Sequence, residues 1–292
     1  MLWAATLLHV CLAGLAPDQL LIETKDVLAT KEVLVVDARP SEAFDKGHIP
    51  GAAHLDQSAL SEDRDGVPNE LKKPEALRDL LAAAGIDADK HLVVYSAMET
   101  SADLKSATRL FWALEYLSYE RVSLLDGGFA KWVGESRAVE TGPSKVGAVK
   151  LGKVSARPRA ALLADYETVA EMAAGGQGEL VDCRAPEEYA GLSKKDFVAR
   201  KGNIPGATNL PAGDLLDPKT RLLKPAKDLA AAIAPLHVNE DTPVVTYCNS
   251  GRDATTGYFA LRLAGHEHTA VYDGSMAEWA AKEGPAFSAP AK

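Results

Sequence analysis

Short apolar runs rich in β-branched residues recur along the chain, at residues 33–36 (VLVV), 92–95 (LVVY) and 244–247 (VVTY). Between them lie stretches of helical periodicity, such as residues 75–85 (EALRDLLAAAG) and 227–236 (KDLAAAIAPL). Strands that are apolar at every position, not at alternate ones, suit a parallel sheet covered by helices on both faces. The pattern therefore predicts an α/β protein.

The pattern also repeats. The first half carries "VLVVDARPSEAFDKGHIPGAAHLD" (33–56), "HLVVYS" (91–96) and "LLDGGFAKW" (124–132). The second half carries "ELVDCRAPEEYAG" (179–191), "GNIPGATNLP" (202–211), "PVVTYC" (243–248) and "VYDGSMAEW" (271–279). The landmarks keep one order at an offset of about 147 residues, read from Trp132 to Trp279, which is the usual size of a domain. This predicts a duplicated domain: residues 20–141, a linker at 142–156 mixing Gly, Pro, Ser and Lys without helical period, and residues 157–290.

Residues 1–16 stand apart. Positions 2–16 (LWAATLLHVCLAGLA) carry no Asp, Glu, Lys or Arg and are too few for a membrane span, so they read as a signal-peptide core. The expectation is a periplasmic or otherwise exported protein with no stable membrane association after processing. A cytoplasmic protein with an apolar first helix is the alternative, since no Lys or Arg precedes the run and Pro17 follows it.

Composition narrows the chemistry. The 292 residues, 47% hydrophobic and 25% charged, suffice for two cores, and a net charge of −9 offers no positive field for nucleic acid. Cys11, Cys183 and Cys248 show no Cys-x-x-Cys spacing, so neither a disulfide scaffold nor a metal site is expected. Cysteine chemistry must rest on single thiols.

Cys248 is the candidate nucleophile. It follows an apolar strand, at the carboxyl edge where parallel sheets bind ligands, and precedes a helical pattern that resumes at about Ala254. The loop between, Asn249, Ser250, Gly251, Arg252 and Asp253, is placed to turn backbone amides inward, where with the helix dipole they favour an anion. A free thiol has a pKa of about 8.5, and such amides with the Arg252 guanidinium lower it. Asp253 is expected to cap the helix. A buried, inert cysteine beside a helix start is the plain structural reading of the same residues.

Taken together, "VDAR" with "GHIPGA", "VDCR" with "NIPGA", "CNSGRD", and "DGG" or "DGS" followed by Trp132 and Trp279 resemble the rhodanese superfamily, in the tandem form of thiosulfate and 3-mercaptopyruvate sulfurtransferases. The resemblance covers nearly all of the chain after Leu20. It implies two tandem rhodanese-like domains, each a mainly parallel sheet flanked by helices. The second would be catalytic, passing a sulfane sulfur through a Cys248 persulfide from a small anionic donor to cyanide or a thiol, with no metal or organic cofactor. Ser96 stands where the second copy has Cys248, which implies an inactive first copy. Asp37, Arg39, Asp182 and Arg184 are expected to pair beneath the loops, with Arg184 also a candidate substrate contact. His48 reads as a turn-stabilising residue, replaced by Asn203 in the second copy, and both tryptophans read as core.

Departures bound the resemblance. Mercaptopyruvate enzymes usually place an Arg four residues after the Asp-x-Arg arginine, and this chain has Glu188 there, which favours thiosulfate. Lys194, Lys195, Arg200 and Lys201 are alternative anion-binding charges. Related phosphatase loops read Cys-x5-Arg, and the corresponding position here is Ala254, which argues against phosphate-ester hydrolysis. A non-enzymatic redox or partner-binding module, with a Cys183–Cys248 disulfide as one form, is the remaining alternative.

Overall fold

A computed structural model describes residues 14–27, 32–220, 222–236 and 238–282. Residues 1–13, most of the expected signal peptide, and residues 283–290 of the expected second domain lie outside the described residues.

The first half contains β1 (Leu21–Ile22), α1 (Thr24–Val27), β2 (Val33–Asp37), α2 (Ser41–Lys46), β3 (Ala53–His54), β4 (Ser61–Arg64), β5 (Val67–Leu71), α3 (Pro74–Ala83), β6 (His91–Tyr95), α4 (Ser101–Tyr116), β7 (Val122–Leu125) and α5 (Gly128–Gly134). Five strands form a parallel sheet in the order β1-β7-β6-β2-β3, while β4 and β5 pair apart as an antiparallel hairpin. The second half contains β8 (Leu163–Ala164), α6 (Tyr166–Ala173), β9 (Glu179–Asp182), α7 (Pro186–Tyr189), β10 (Thr208–Asn209), α8 (Ala226–Ile233), β11 (Val244–Tyr247), α9 (Arg252–Leu263), β12 (Thr269–Tyr272) and α10 (Ser275–Ala281). Its parallel sheet runs β10-β9-β11-β12-β8, the same topology as the first.

The duplication extends to single hydrogen bonds. Tyr95 accepts from the amide of Ile49 at 3.2 Å and Tyr247 from that of Ile204 at 3.2 Å. Arg39 and Arg184 each fork onto the aspartate two residues earlier, then reach the carbonyls of Gly47 and Gly202. His48 donates through Nδ1 to the Phe44 carbonyl at 3.0 Å, and Asn203 makes the matching bond to Tyr189 at 2.9 Å. Trp132 and Trp279 are buried, each in the apolar cluster on its own domain's outer face.

Both faces of each sheet are covered, as the continuous apolar strands require. Alternation along β11 sends Val245 and Tyr247 to the outer cluster and Val244 and Cys248 to a cluster that continues across the domain interface. That interface is built on α4 and α9. Thr108 lies 3.1 Å from Thr255 and 3.2 Å from Thr256, Phe111 meets Phe259 edge-on at 4.9 Å, and Glu115 accepts from Tyr258 at 2.6 Å and Arg262 at 3.1 Å. The pairs advance together in number, so the helices run side by side in one direction and both strand-to-helix loops sit at the same end. The aromatic pair contributes about 0.5–1.5 kcal/mol beyond the area it buries.

The stretch between the domains is bound to the first: Val149 donates to the Ala82 carbonyl, Ala88 to that of Lys153, and residues Leu151–Lys153 form one 3-10 turn. Among the described residues no helix is long and apolar enough to cross a membrane.

Candidate active site

Cys248 is the first residue after β11, and the chain turns over it in four residues, because α9 begins at Arg252 and not near Ala254 as the periodicity suggests. Gly251 makes the early start feasible. It sits in the left-handed region at φ 80°, and a Cβ there would lie 2.0 Å from Asp273 Oδ1.

Ser275 fastens the loop from below. Its hydroxyl accepts from the amides of Cys248 and Gly251, both at 3.1 Å, and donates to the Tyr272 carbonyl at 2.8 Å. The side chain is fully buried, in a left-handed backbone conformation at φ 50°. One hydroxyl thus joins the two ends of the cysteine loop to the end of β12.

Burial pushes the Cys248 thiol up from its ordinary pKa, and the Asp253 carboxylate adds to that, while the amides of Ala254, Ser250 and Asp253 pull the other way. The amide cradle expected from the sequence is present, but it does not outweigh burial, and the expected lowering of the resting thiol is corrected accordingly. Arg252 opens α9, with its Nε buried without a hydrogen-bond partner. Asp253 is not the cap. It lies inside α9 and pairs with Lys105 of α4 at 2.5 Å, across the domain interface.

Asn249 donates to both carboxylate oxygens of the buried Glu188, at 3.1 and 3.3 Å, while its own Oδ1 is buried without a partner. The departure from the mercaptopyruvate pattern therefore touches the cysteine loop directly. Ser250 accepts a long 3.4 Å bond from Asn69. Arg184 is fixed under the loop by Asp182 and Gly202, the structural role, with its Nη1 buried and unpartnered. Lys194, Arg200 and Lys201 donate to carbonyls of Lys195, of Ala280 and Lys282, and of Leu192, and none of these bonds reaches the loop.

Cys183 neighbours Cys248, one residue beyond the Asp182–Tyr247 pairing of β9 and β11, and its sulfur occupies the space left by Gly257. Both are free thiols, and burial pushes Cys183 well up. A cavity of about 820 Å³ opens at the far end of β11, against Val244, Val245 and Ala270, remote from the cysteine.

The first copy supplies groups that short-range sequence patterns do not reveal. Arg109 of α4, fully buried, binds Asp273 at 2.5 and 3.1 Å and the Asn69 carbonyl at 2.8 Å. The amide of Leu71 donates to Asp273 at 2.6 Å, which lays the β4–β5 hairpin beside the cysteine loop. The hairpin's only sequence signal is Asp65-Gly66, both in the left-handed conformation of a tight turn. Ser275 is visible in "DGS", but only as a difference from "DGG".

The model of the rhodanese-like domain matches residues 21–135 and 165–282. The chain is 30% identical over 266 residues to a 3-mercaptopyruvate sulfurtransferase of Escherichia coli, covering 86% of this chain and 90% of that one. It is 32% identical over 241 residues to a thiosulfate sulfurtransferase of Mus musculus, covering 81% and 78%. Among solved structures, the Escherichia coli SseA crystal structure, described as a 3-mercaptopyruvate enzyme of rhodanese fold, superposes with a TM-score of 0.74 at 26% identity, over 90% of this chain and 98% of that one. An anaerobic ergothioneine biosynthesis enzyme of Chlorobium limicola shares the fold at a TM-score of 0.80 and 21% identity, over 96% and 71%.

Proposed function

The chain belongs to the rhodanese family as a tandem-domain sulfurtransferase, and from that premise we propose that it carries sulfur as a persulfide on Cys248, with thiosulfate preferred to 3-mercaptopyruvate. The observation that supports the carrier is the place of Cys248, at the end of β11 and ahead of the first turn of α9, where the Ser250, Asp253 and Ala254 amides favour its charged form. Amides at a helix start stabilise an anion, and a persulfide is a more acidic anion-former than the thiol it replaces.

In the first half-reaction the Cys248 thiolate attacks the sulfane sulfur of thiosulfate. An S–S bond forms to Cys248, the S–S bond of thiosulfate breaks, and sulfite leaves with the electron pair. Cyanide or a thiolate then attacks the outer sulfur and the Cys248 thiolate returns. Cys248 is 1% exposed, so the side chains over it must move aside for a donor to arrive. The donor preference rests on Glu188. Its buried carboxylate, bonded to Asn249, stands where mercaptopyruvate enzymes usually have an arginine, so the cation that would bind the mercaptopyruvate carboxylate is missing beside the loop. The names of several relatives speak for mercaptopyruvate, so the test carries both donors.

Intact mass after incubation with each donor, then with cyanide, is the decisive measurement. A gain of about 32 Da on Cys248 that cyanide removes is expected, faster from thiosulfate. Glu188→Gln should lower KM for either anionic donor by several-fold, about 1 kcal/mol of relieved repulsion, and Glu188→Arg should move the donor ratio toward mercaptopyruvate. Faster loading from mercaptopyruvate in the unaltered protein would overturn the donor preference; no mass gain from either donor would overturn the carrier.

A further inference from the structure

The two cations that the silent copy sends across the interface lie one turn apart on α4. Arg109 meets Asp273 and Lys105 meets Asp253. Each carboxylate flanks the cysteine loop: Asp273 touches Gly251, and Asp253 presents its own amide toward the sulfur while its charge opposes ionisation of the thiol. A site that must form a sulfur anion thus carries two fixed negative charges at its rim, and the partner domain answers both.

We propose that Lys105, a residue of the catalytically silent domain, is a positioning residue for sulfur transfer: paired to Asp253 across the interface, it offsets the carboxylate beside Cys248 and holds that first turn of α9 with its amides on the sulfur. The proposal rests on the reading of Cys248 as sulfur carrier, and it gives the first copy an electrostatic role in addition to packing.

The other charged groups around the sulfur are already matched or lie behind a neutral side chain. On β9's side, Asp182 is neutralised by Arg184. From α7, Glu188 reaches the loop only through Asn249. At the end of β12, Asp273 is neutralised by Arg109. On α9 itself Arg252 lies next to Asp253, but Lys105 is the cation that closes an ion pair with it. Cys183 is a neutral thiol at ordinary pH, because burial raises it. Lys105 is therefore the charge whose removal leaves a loop carboxylate unanswered. Its side chain is 27% exposed and that of Asp253 25%, so the pair is partly screened and a neutral replacement leaves no bare charge in a core.

The test is the thiolate absorbance of the full chain near 240 nm against pH without any sulfur donor, each variant being referenced to its own Cys248→Ser counterpart so that only this thiol is read. Lys105→Gln, which keeps length and stem, should raise the apparent pKa by at least about half a unit, about a threefold loss of thiolate at any pH below it. Lys105→Arg should restore the wild-type curve, and Lys105→Glu should shift it further upward. The pH profile of thiosulfate loading should move by the same amount. A Lys105→Gln protein that melts like wild type and titrates like it would sink the proposal. Because the titration uses no donor, failure of sulfur transfer in the wild-type protein would overturn the function and leave this result standing on its own.

Discussion

The loops after β6 and β11 start from the same plan and end as opposites. In each, a strand closes on a tyrosine that accepts from the Ile-Pro-Gly turn, the next residue stands at the sheet edge, and its carbonyl accepts an amide from the Asp-Gly segment, Phe129 to Ser96 and Met276 to Cys248. Beyond that point the first copy fills its own site. Met98, in a left-handed conformation and 4% exposed, folds under the loop against Gly128, and α4 starts late, at Ser101, on a Thr100–Asp103 capping box. The second copy keeps a four-residue loop, replaces Gly128 by Ser275, and uses the serine hydroxyl to hold two loop amides. Under the proposed function the two copies differ by more than the cysteine: the space beneath the first copy's loop is occupied.

That comparison can be broken most forcefully by moving the nucleophile. Cys248→Ser is expected to abolish sulfur loading, and Ser96→Cys added to it is expected to restore none, since a thiol at position 96 would find Met98 where amides should converge. Sulfur loading at position 96 of the double variant, read by peptide mass mapping, would show that the cradle is not what separates the two copies.

The next effect concerns the serine. Ser275→Gly gives the active loop the first copy's residue. Two buried amides lose their acceptor, at about 1–3 kcal/mol each when left unsatisfied. Against that, glycine relieves the left-handed strain at φ 50°, worth about 1–2 kcal/mol. The two effects partly cancel, and the net destabilisation read by denaturant midpoint is about 0–5 kcal/mol. Reactivity has no such compensation. A tenfold to hundredfold slower single-turnover loading is expected, corresponding to about 1.4–2.8 kcal/mol of misdirected amides. An unchanged rate would mean that the amides hold the sulfur without Ser275.

Much of this was legible in the sequence because its carriers are local. Strand runs, the Asp-x-Arg pairs, the Ile-Pro-Gly turns and the position of Cys248 each follow from a few consecutive residues, and duplication stated them twice. The start of α9 was misplaced because Gly251 caps by backbone conformation and leaves no side-chain signal, so Asp253 looked like the cap. Its true partner, Lys105, lies 148 positions away, read from 253 minus 105, and only the packing of α4 on α9 brings the two together. The same holds for Arg109, Asn69 and Asp273. The thiol's resting acidity was misjudged for another reason: amides can be counted along a loop, but burial depends on the hairpin and helix of the other copy.

The smallest expected effect on catalysis is the reciprocal change, Gly128→Ser. A Cβ at Gly128 would lie 2.4 Å from Met98 Cγ and 2.4 Å from the Ser96 carbonyl oxygen, and φ is +51°. The methionine can swing away, whereas the carbonyl belongs to the strand end and already accepts from Phe129. Overpacking of this kind costs about 1–3 kcal/mol, so a matching fall in stability is expected from denaturant titration. Sulfur loading of Cys248 should stay within about twofold, because separate sites add independently when they share no partner. A loss as large as that of Ser275→Gly would mean that the loops at the common end of α4 and α9 answer to one another, and that the filled space in the first copy helps to hold the cysteine loop of the second open.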